Sequence, residues 1–118
     1  MASYLVGHIT VKNEELWQQY VSGVRESLSP FQSKVLFRGT LVSILAGSHE
    51  HDRVVVIEFS DHVTLDNWFQ SEKYQALIPL RDEAADMVIT TYESYLFLPL
   101  SMKINRVNLE GTLNEAPS

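Results

Sequence analysis

The chain has 118 residues, 45% of them hydrophobic and 20% charged, enough to bury a core of its own without metals or crosslinks, so one domain is expected. It contains no cysteine, which removes disulfides, thiol nucleophiles and thiolate zinc sites together and suits the cytoplasm. A formal charge of −6, with nine basic residues scattered along the sequence, argues against nucleic acid, whose phosphates select clustered Lys and Arg, and reads as a solubility feature.

Met1-Ala2-Ser3-Tyr4 lacks the basic region and apolar run of a signal peptide. No apolar stretch approaches the roughly eighteen residues that cross a bilayer, so no membrane association is expected. Tyr4 to Val11 is rich in β-formers and is followed by the turn-favouring Asn13, which predicts a first strand. Asn13 then caps a helix. Along it Leu16, Trp17, Tyr20, Val21, Val24 and Leu28 build one apolar stripe, and Glu14 and Glu15 suit the positive end of the helix dipole. Ser29-Pro30 ends the helix, because the residue before proline is pushed out of the α region.

Lys34 to Ala46 reads as a long extended stretch with a bulge or bend at Gly39. Gly47 to Asp52 is a polar turn. Arg53 to Phe59 is so uniformly apolar through Val54, Val55, Val56 and Ile57 that both of its faces must be covered, which makes it a central strand. Ser60 or Asp61 caps a second helix carrying Val63, Leu65, Trp68 and Phe69, closed at Ser71. A further helical piece runs through Tyr74 to Leu77 and, past Pro79 at a helix-start position, on to Asp86. Met87 to Phe97 is the last strand.

The order strand, helix, strand, strand, helix, strand predicts an α+β fold of the ferredoxin-like βαββαβ type, with a four-stranded antiparallel sheet. Residues 1–98 form this domain. Residues 99–118 are polar, with a weak alternation through Met102, Ile104 and Val107, and read as a C-terminal arm that either packs on a partner subunit or stays mobile.

Several strings resemble the small bacterial family called domain of unknown function 1330, within the dimeric α/β-barrel superfamily. They are Glu15-Leu16-Trp17-Gln18-Gln19-Tyr20, Phe37-Arg38-Gly39, Arg53-Val54-Val55-Val56-Ile57-Glu58-Phe59, Trp68-Phe69-Gln70-Ser71-Glu72-Lys73-Tyr74-Gln75 and Leu80-Arg81. Thr40 departs from the pattern, which usually has a second glycine there. The resemblance spans roughly Tyr4 to Tyr95 and implies a monomer whose exposed sheet faces that of a second copy. It implies no settled activity, although related barrels carry out cofactor-free oxygenation and isomerisation. The strands support the homodimer independently, since two helical regions cover one sheet face while the strands are apolar on both.

Alternation places Leu5, Ile9 and Val11 toward the helices and Tyr4, Val6, His8 and Thr10 on the barrel face. In the same way Val55, Ile57 and Phe59 face the helices while Val54, Val56 and Glu58 face the barrel. With the first and third strands taken as parallel central neighbours, His8 and Glu58 approach one another. A buried carboxylate without a partner is costly, so Glu58 needs a cation or a wet cavity, and Arg38 on the adjacent strand is the expected partner.

A histidine beside a carboxylate can supply acid–base catalysis while Arg38 holds an anionic or carbonyl oxygen, with Tyr74 and Tyr92 reaching the cavity. The same residues equally suit a structural network that fixes strand register or the dimer. Arg81, next to Asp82 and near Glu83, reads as a salt-bridge residue, His62 as a surface residue, and Trp17, Tyr20, Trp68 and Phe69 as core. His49 and His51 make an incomplete metal site, so no metal is expected. No glycine-rich phosphate loop, dinucleotide fingerprint or nucleophile elbow is present, and no cofactor is expected. An RNA-binding domain on this topology would need a basic groove and exposed aromatics on its central strands, which the sequence lacks. The sequence thus predicts a homodimer with a pocket for a small organic ligand, between sheet and helices or at the dimer face, acting as a cofactor-independent enzyme or a binder. The alternative is a noncatalytic structural or interaction dimer.

Overall fold

Three of the helices begin where a side chain can take the N–H groups that a helix start leaves unpaired. In the computed structural model, which describes residues 1–94, Asn13 Oδ1 accepts from the Leu16 amide at 3.0 Å and opens α1, Glu14–Leu28. Asp61 Oδ1 accepts from the Thr64 amide at 2.8 Å and opens α2, His62–Phe69. Ser71, expected to close α2, instead caps α3, Glu72–Gln75, by accepting from the Tyr74 amide. The last helix, α4, Ile78–Ala84, carries Pro79 in its first turn, where a missing N–H costs nothing.

The strands are β1, Ser3–Val11; β2, Ser33–Thr40; β3, Arg53–Phe59; and β4, Ala85–Glu93. Their order in the sheet is β2-β3-β1-β4, which is the ferredoxin-like arrangement, and every neighbouring pair is antiparallel. The expectation that β1 and β3 run parallel is therefore corrected. The crossover through α1 makes β1 and β2 parallel, and β3 lies between them and opposes both.

Two element boundaries also move. The stretch expected to continue to Ala46 ends as strand at Thr40, and residues 41–52 form a connection closed by the Leu41 amide donating to Asp52 O at 2.7 Å. The helix expected to reach Asp86 stops at Ala84 because pairing with β1 takes over: Ala85 lies opposite Val11, Asp86 opposite Thr10 and Met87 opposite Ile9. The last strand, expected from Met87 to Phe97, runs from Ala85 to Glu93; residues 95–97 of that expectation, and the C-terminal arm read over 99–118, lie outside the described residues.

The bulge in β2 sits between Val35 and Phe37 rather than at Gly39. Val35 pairs with Ile57, Leu36 is the extra residue, and Phe37 then pairs with Val56 and Arg38 with Val55. One inserted residue thereby exchanges the faces of everything after it. Gly39 makes room instead of bending the strand, since a Cβ there would stand 2.5 Å from Phe37 Cζ and the ring lies over a position with no side chain.

Leu5, Ile9, Ile57 and Phe59 form the sheet side of the core, and Trp17, Tyr20, Leu28, Leu65, Trp68 and Tyr74 form the helix side. Trp68 is central, with ring centroids 5.5 Å from Phe59 and 4.5 Å from Tyr74. Its indole N–H donates to Ser27 Oγ at 2.8 Å, and that hydroxyl donates to Val24 O at 2.7 Å, so these two buried side chains are paired. The opposite sheet face carries Val6, Val54 and Val56, half-buried, and the exposed Phe37, Val88 and Tyr92. No helix of the described residues is long and apolar enough to cross a membrane.

Phe59→Ala is expected to lower stability by about 3–5 kcal/mol through the cavity it leaves. Asn13→Ala should cost about 1 kcal/mol through the lost cap. Urea unfolding at one fixed protein concentration measures both.

Candidate functional site

The helix-facing side chains of β1, β2 and β3 do not fill the space beneath α1. A cavity of about 90 Å³ remains, walled by Leu5, Val55 and Ile57 from the sheet and by Val21, Val24 and Leu28 from the helix. The walls are mainly apolar. Their polar members are few: the phenols of Tyr20 and Tyr74, the Trp68 indole already bonded to Ser27, and the side chains of Arg25 and Arg38. Arg38 reaches this layer because the extra Leu36 turns it onto the face of Val55.

Tyr20 sits on the buried stripe of α1, and Tyr74 is held by the Ser71 cap at the start of α3. Their hydroxyls lie 2.9 Å apart in a buried contact. Arg81, on α4, donates from Nη1 to Tyr74 Oη at 3.0 Å and from Nε to Asp82 Oδ1 at 3.2 Å. Burial, reinforced by the neighbouring Tyr74 phenol, pushes the Tyr20 phenol far above its ordinary range, so this hydroxyl stays protonated and able to donate.

The open sheet face holds a separate set. Tyr4 Oη donates to Glu58 Oε2 at 3.1 Å, and this bond to the carboxylate raises the Tyr4 phenol. Tyr4 stands opposite Glu58, whereas His8 stands opposite Val54. In an antiparallel pair a step up one strand is a step down the other, so His8 and Glu58 are separated along the sheet rather than brought together. Arg38 lies on the other face and is not the partner of Glu58; Lys34 occupies the position opposite that carboxylate. Tyr92, exposed across the strand from Tyr4, is on the open face and does not line the cavity, while Tyr74 does.

His8 instead meets the 41–52 connection. Its ring stands edge-on to His49 with centroids 5.0 Å apart; His49 is 6.1 Å from His51, whose Nδ1 lies 2.8 Å from Thr10 Oγ1. His8 Nδ1 is buried with no hydrogen-bond partner among the described residues. Burial, followed by the charges that His49 and His51 would carry, lowers the His8 pKa. Among the described residues no group of three or more His, Cys, Asp or Glu side chains is placed to hold a metal ion.

Sequence reasoning names Arg38 and Tyr74 and misses the roles of two residues bonded to Tyr74. Tyr20 is core, as expected, but its hydroxyl faces a polar partner that only the tertiary contact with α3 reveals. Arg81 does pair with Asp82, as expected, and in addition reaches Tyr74 across the break between α3 and α4. Because that break interrupts the helical period, the spacing of Tyr74 and Arg81 carries no signal.

The chain belongs to the family described as domain of unknown function 1330, whose model matches residues 2–95. None of the curated proteins matches it. Among solved structures it is similar to a hydroxynitrile lyase from Passiflora edulis, with a TM-score of 0.65 and 12% identity over 83% of this chain and 97% of that one. It is similar to SnoaB, a cofactor-independent oxygenase from Streptomyces nogalater, with a TM-score of 0.57 and 10% identity over 83% of this chain and 97% of that one. A dimeric ferredoxin-like protein of unknown function from Thermobifida fusca matches with a TM-score of 0.57 and 10% identity over 80% of this chain and 92% of that one. At these identities the likeness is one of fold.

The depressed pKa of His8 has a sign that can be measured. Below its ordinary value of about 6.5 the unfolded chain takes up a proton that the folded one resists. Folding stability should therefore fall as pH drops through 6.5 toward the folded-state pKa of His8. Urea unfolding at successive pH values checks this, with a shallower decline expected for His8→Gln.

Proposed function

We propose that this chain works as a homodimer and takes a compact, mainly apolar organic molecule into the cavity between α1 and the sheet of each subunit, as a cofactor-independent enzyme. One observation carries the reading: an apolar cavity of about 90 Å³ whose few polar groups include a buried pair of phenols. Concave, mostly apolar space with a small number of placed polar groups is the form that small-molecule sites take. Arg38 and Tyr74 are its ligand-facing residues in this proposal, together with Tyr20. The acid–base role expected of His8 and Glu58 would have to be exercised separately by the two, on the open face.

The fold is shared with a hydroxynitrile lyase and with a cofactor-independent oxygenase, and the second supports small-molecule chemistry that needs no cofactor. The homodimer is supported by the open face itself. Val6, Val54 and Val56 form a row on the two central strands that the helices of the described residues do not cover, and the Thermobifida fusca protein of similar fold is described as dimeric. The lack of cysteine agrees with a reducing compartment such as the cytoplasm.

Light scattering should give the mass of two chains, and Val56→Glu, which sets a charge in the middle of the open face, should shift it to one; a wild-type monomer would overturn the dimer. Thermal-shift measurements with small aromatic compounds should show stabilisation of about 2–3 kcal/mol at a hundredfold excess over Kd. Val24→Trp, which fills the cavity, should abolish it. A broad panel that leaves the wild-type melting temperature unchanged would end the pocket reading.

A further inference from the structure

The two phenols at the cavity hold a proton for which the described residues supply no acceptor. Tyr20 and Tyr74 have two phenolic protons and share one hydrogen bond, so a single proton is spent between them. Arg81 can only donate, and it occupies Tyr74 Oη as an acceptor. Neither hydroxyl makes a further bond to an acceptor among the described residues. If Tyr74 donates to Tyr20, the unspent proton is on Tyr20; in the reverse arrangement it is on Tyr74. Both residues line the cavity, so in either case a hydroxyl donor without a partner borders apolar space.

The charge of Arg81 selects between the two arrangements. A cationic donor on Tyr74 Oη polarises that hydroxyl and strengthens its own donation, which favours the chain Arg81 to Tyr74 to Tyr20 and leaves the Tyr20 proton free. Arg81 is not part of the cavity wall and acts from behind it. The wall's two charged residues, Arg25 and Arg38, are both cationic, and among the described residues no carboxylate lines it. Positive charges and a donor relay at the wall stabilise an oxygen anion more than a neutral oxygen.

We propose that the cavity's ligand is a compact, mostly apolar molecule bearing one anionic oxygen, a phenolate or an enolate, which accepts the unspent phenolic proton of the Arg81–Tyr74–Tyr20 relay. This rests on the pocket reading above and adds the chemical class of what the pocket takes. In it Tyr20 touches the ligand, and Arg81 is a positioning residue that acts through Tyr74.

The probe pair is 4-nitrophenol, which ionises near neutral pH and whose phenolate is seen by absorbance, and 4-nitrotoluene, which has the same shape with a methyl group in place of the hydroxyl. Wild-type protein at pH 7.5 should bind 4-nitrophenol about tenfold or more tightly than 4-nitrotoluene. The pKa of the bound phenol should fall below its value in water. The double variant Tyr20→Phe with Tyr74→Phe should keep its affinity for 4-nitrotoluene while losing both the preference and the pKa shift, and Arg81→Met should reduce both. Binding of 4-nitrotoluene with no preference for 4-nitrophenol in the wild type, a measurement that needs no variant, would overturn the relay and leave the pocket standing. A preference that survives in the double variant would overturn it equally. Binding of neither compound by the wild type would overturn the pocket and the relay together.

Discussion

A four-stranded sheet whose strands are apolar on both faces, with helices of the described residues on only one, is the constraint from which the rest of this structure follows. β3 states it most directly, since Ile57 and Phe59 are buried under the helices while Val54 and Val56 line the other face. Covering the first face fixes the positions of α1 and α2 and therefore the core. Among the described residues the second face is left without a helix, and its apolar row is what the proposed dimer would cover. The residues carrying polar chemistry divide along the same plane: Tyr20, Tyr74 and Arg38 on the covered side, His8, Tyr4 and Glu58 on the open one.

The covered side contains two buried polar arrangements that differ in completeness. In the first, the Trp68 indole donates to Ser27, which donates to the Val24 carbonyl, and each proton has an acceptor. This one is closed, and it ties α2 to α1. In the second, Arg81, Tyr74 and Tyr20 present more donors than the described residues provide acceptors for. A closed network contributes to stability, whereas an open one adjoining a cavity holds a donor ready for something that is not protein. The contrast between two such chains in the same core is the reason the phenol pair reads as more than packing.

Much of the fold is legible in the residues because local chemistry and global pattern agree. Asn13 and Asp61 are strong N-caps followed by apolar stripes, β1 alternates in burial, and β3 is a short run of β-formers, so the elements can be assigned from the residues alone. Boundaries are harder where two local preferences compete. Ser71 suits a helix end and a helix start alike, and the cap to Tyr74 decides for the start. Asp86 would extend α4, but the ladder with Thr10 claims it. For the site, residue type finds Tyr74 and Arg38, while the pairing of His8 with Glu58 fails on strand direction. A parallel pair would place them together; an antiparallel pair puts Glu58 beside Tyr4 and leaves His8 to the histidines of the 41–52 connection.

The bulge at Leu36 is the part of the site that alternation could not have supplied. Counting in twos from Lys34, which stands opposite Glu58 on the open face, assigns Arg38 to that same face and makes it the natural partner of the carboxylate. The inserted residue reverses the count, so that Phe37 takes the open face over Gly39 and Arg38 takes the face of Val55 and the cavity. An edge strand tolerates such an insertion because one of its two sides has no ladder to break. The glycine that looked like the interruption instead makes room for the ring that the interruption displaced. A single extra residue thus decides whether the cation neutralises a carboxylate on the open sheet face or lends its charge to an apolar cavity, and in this chain it does the second.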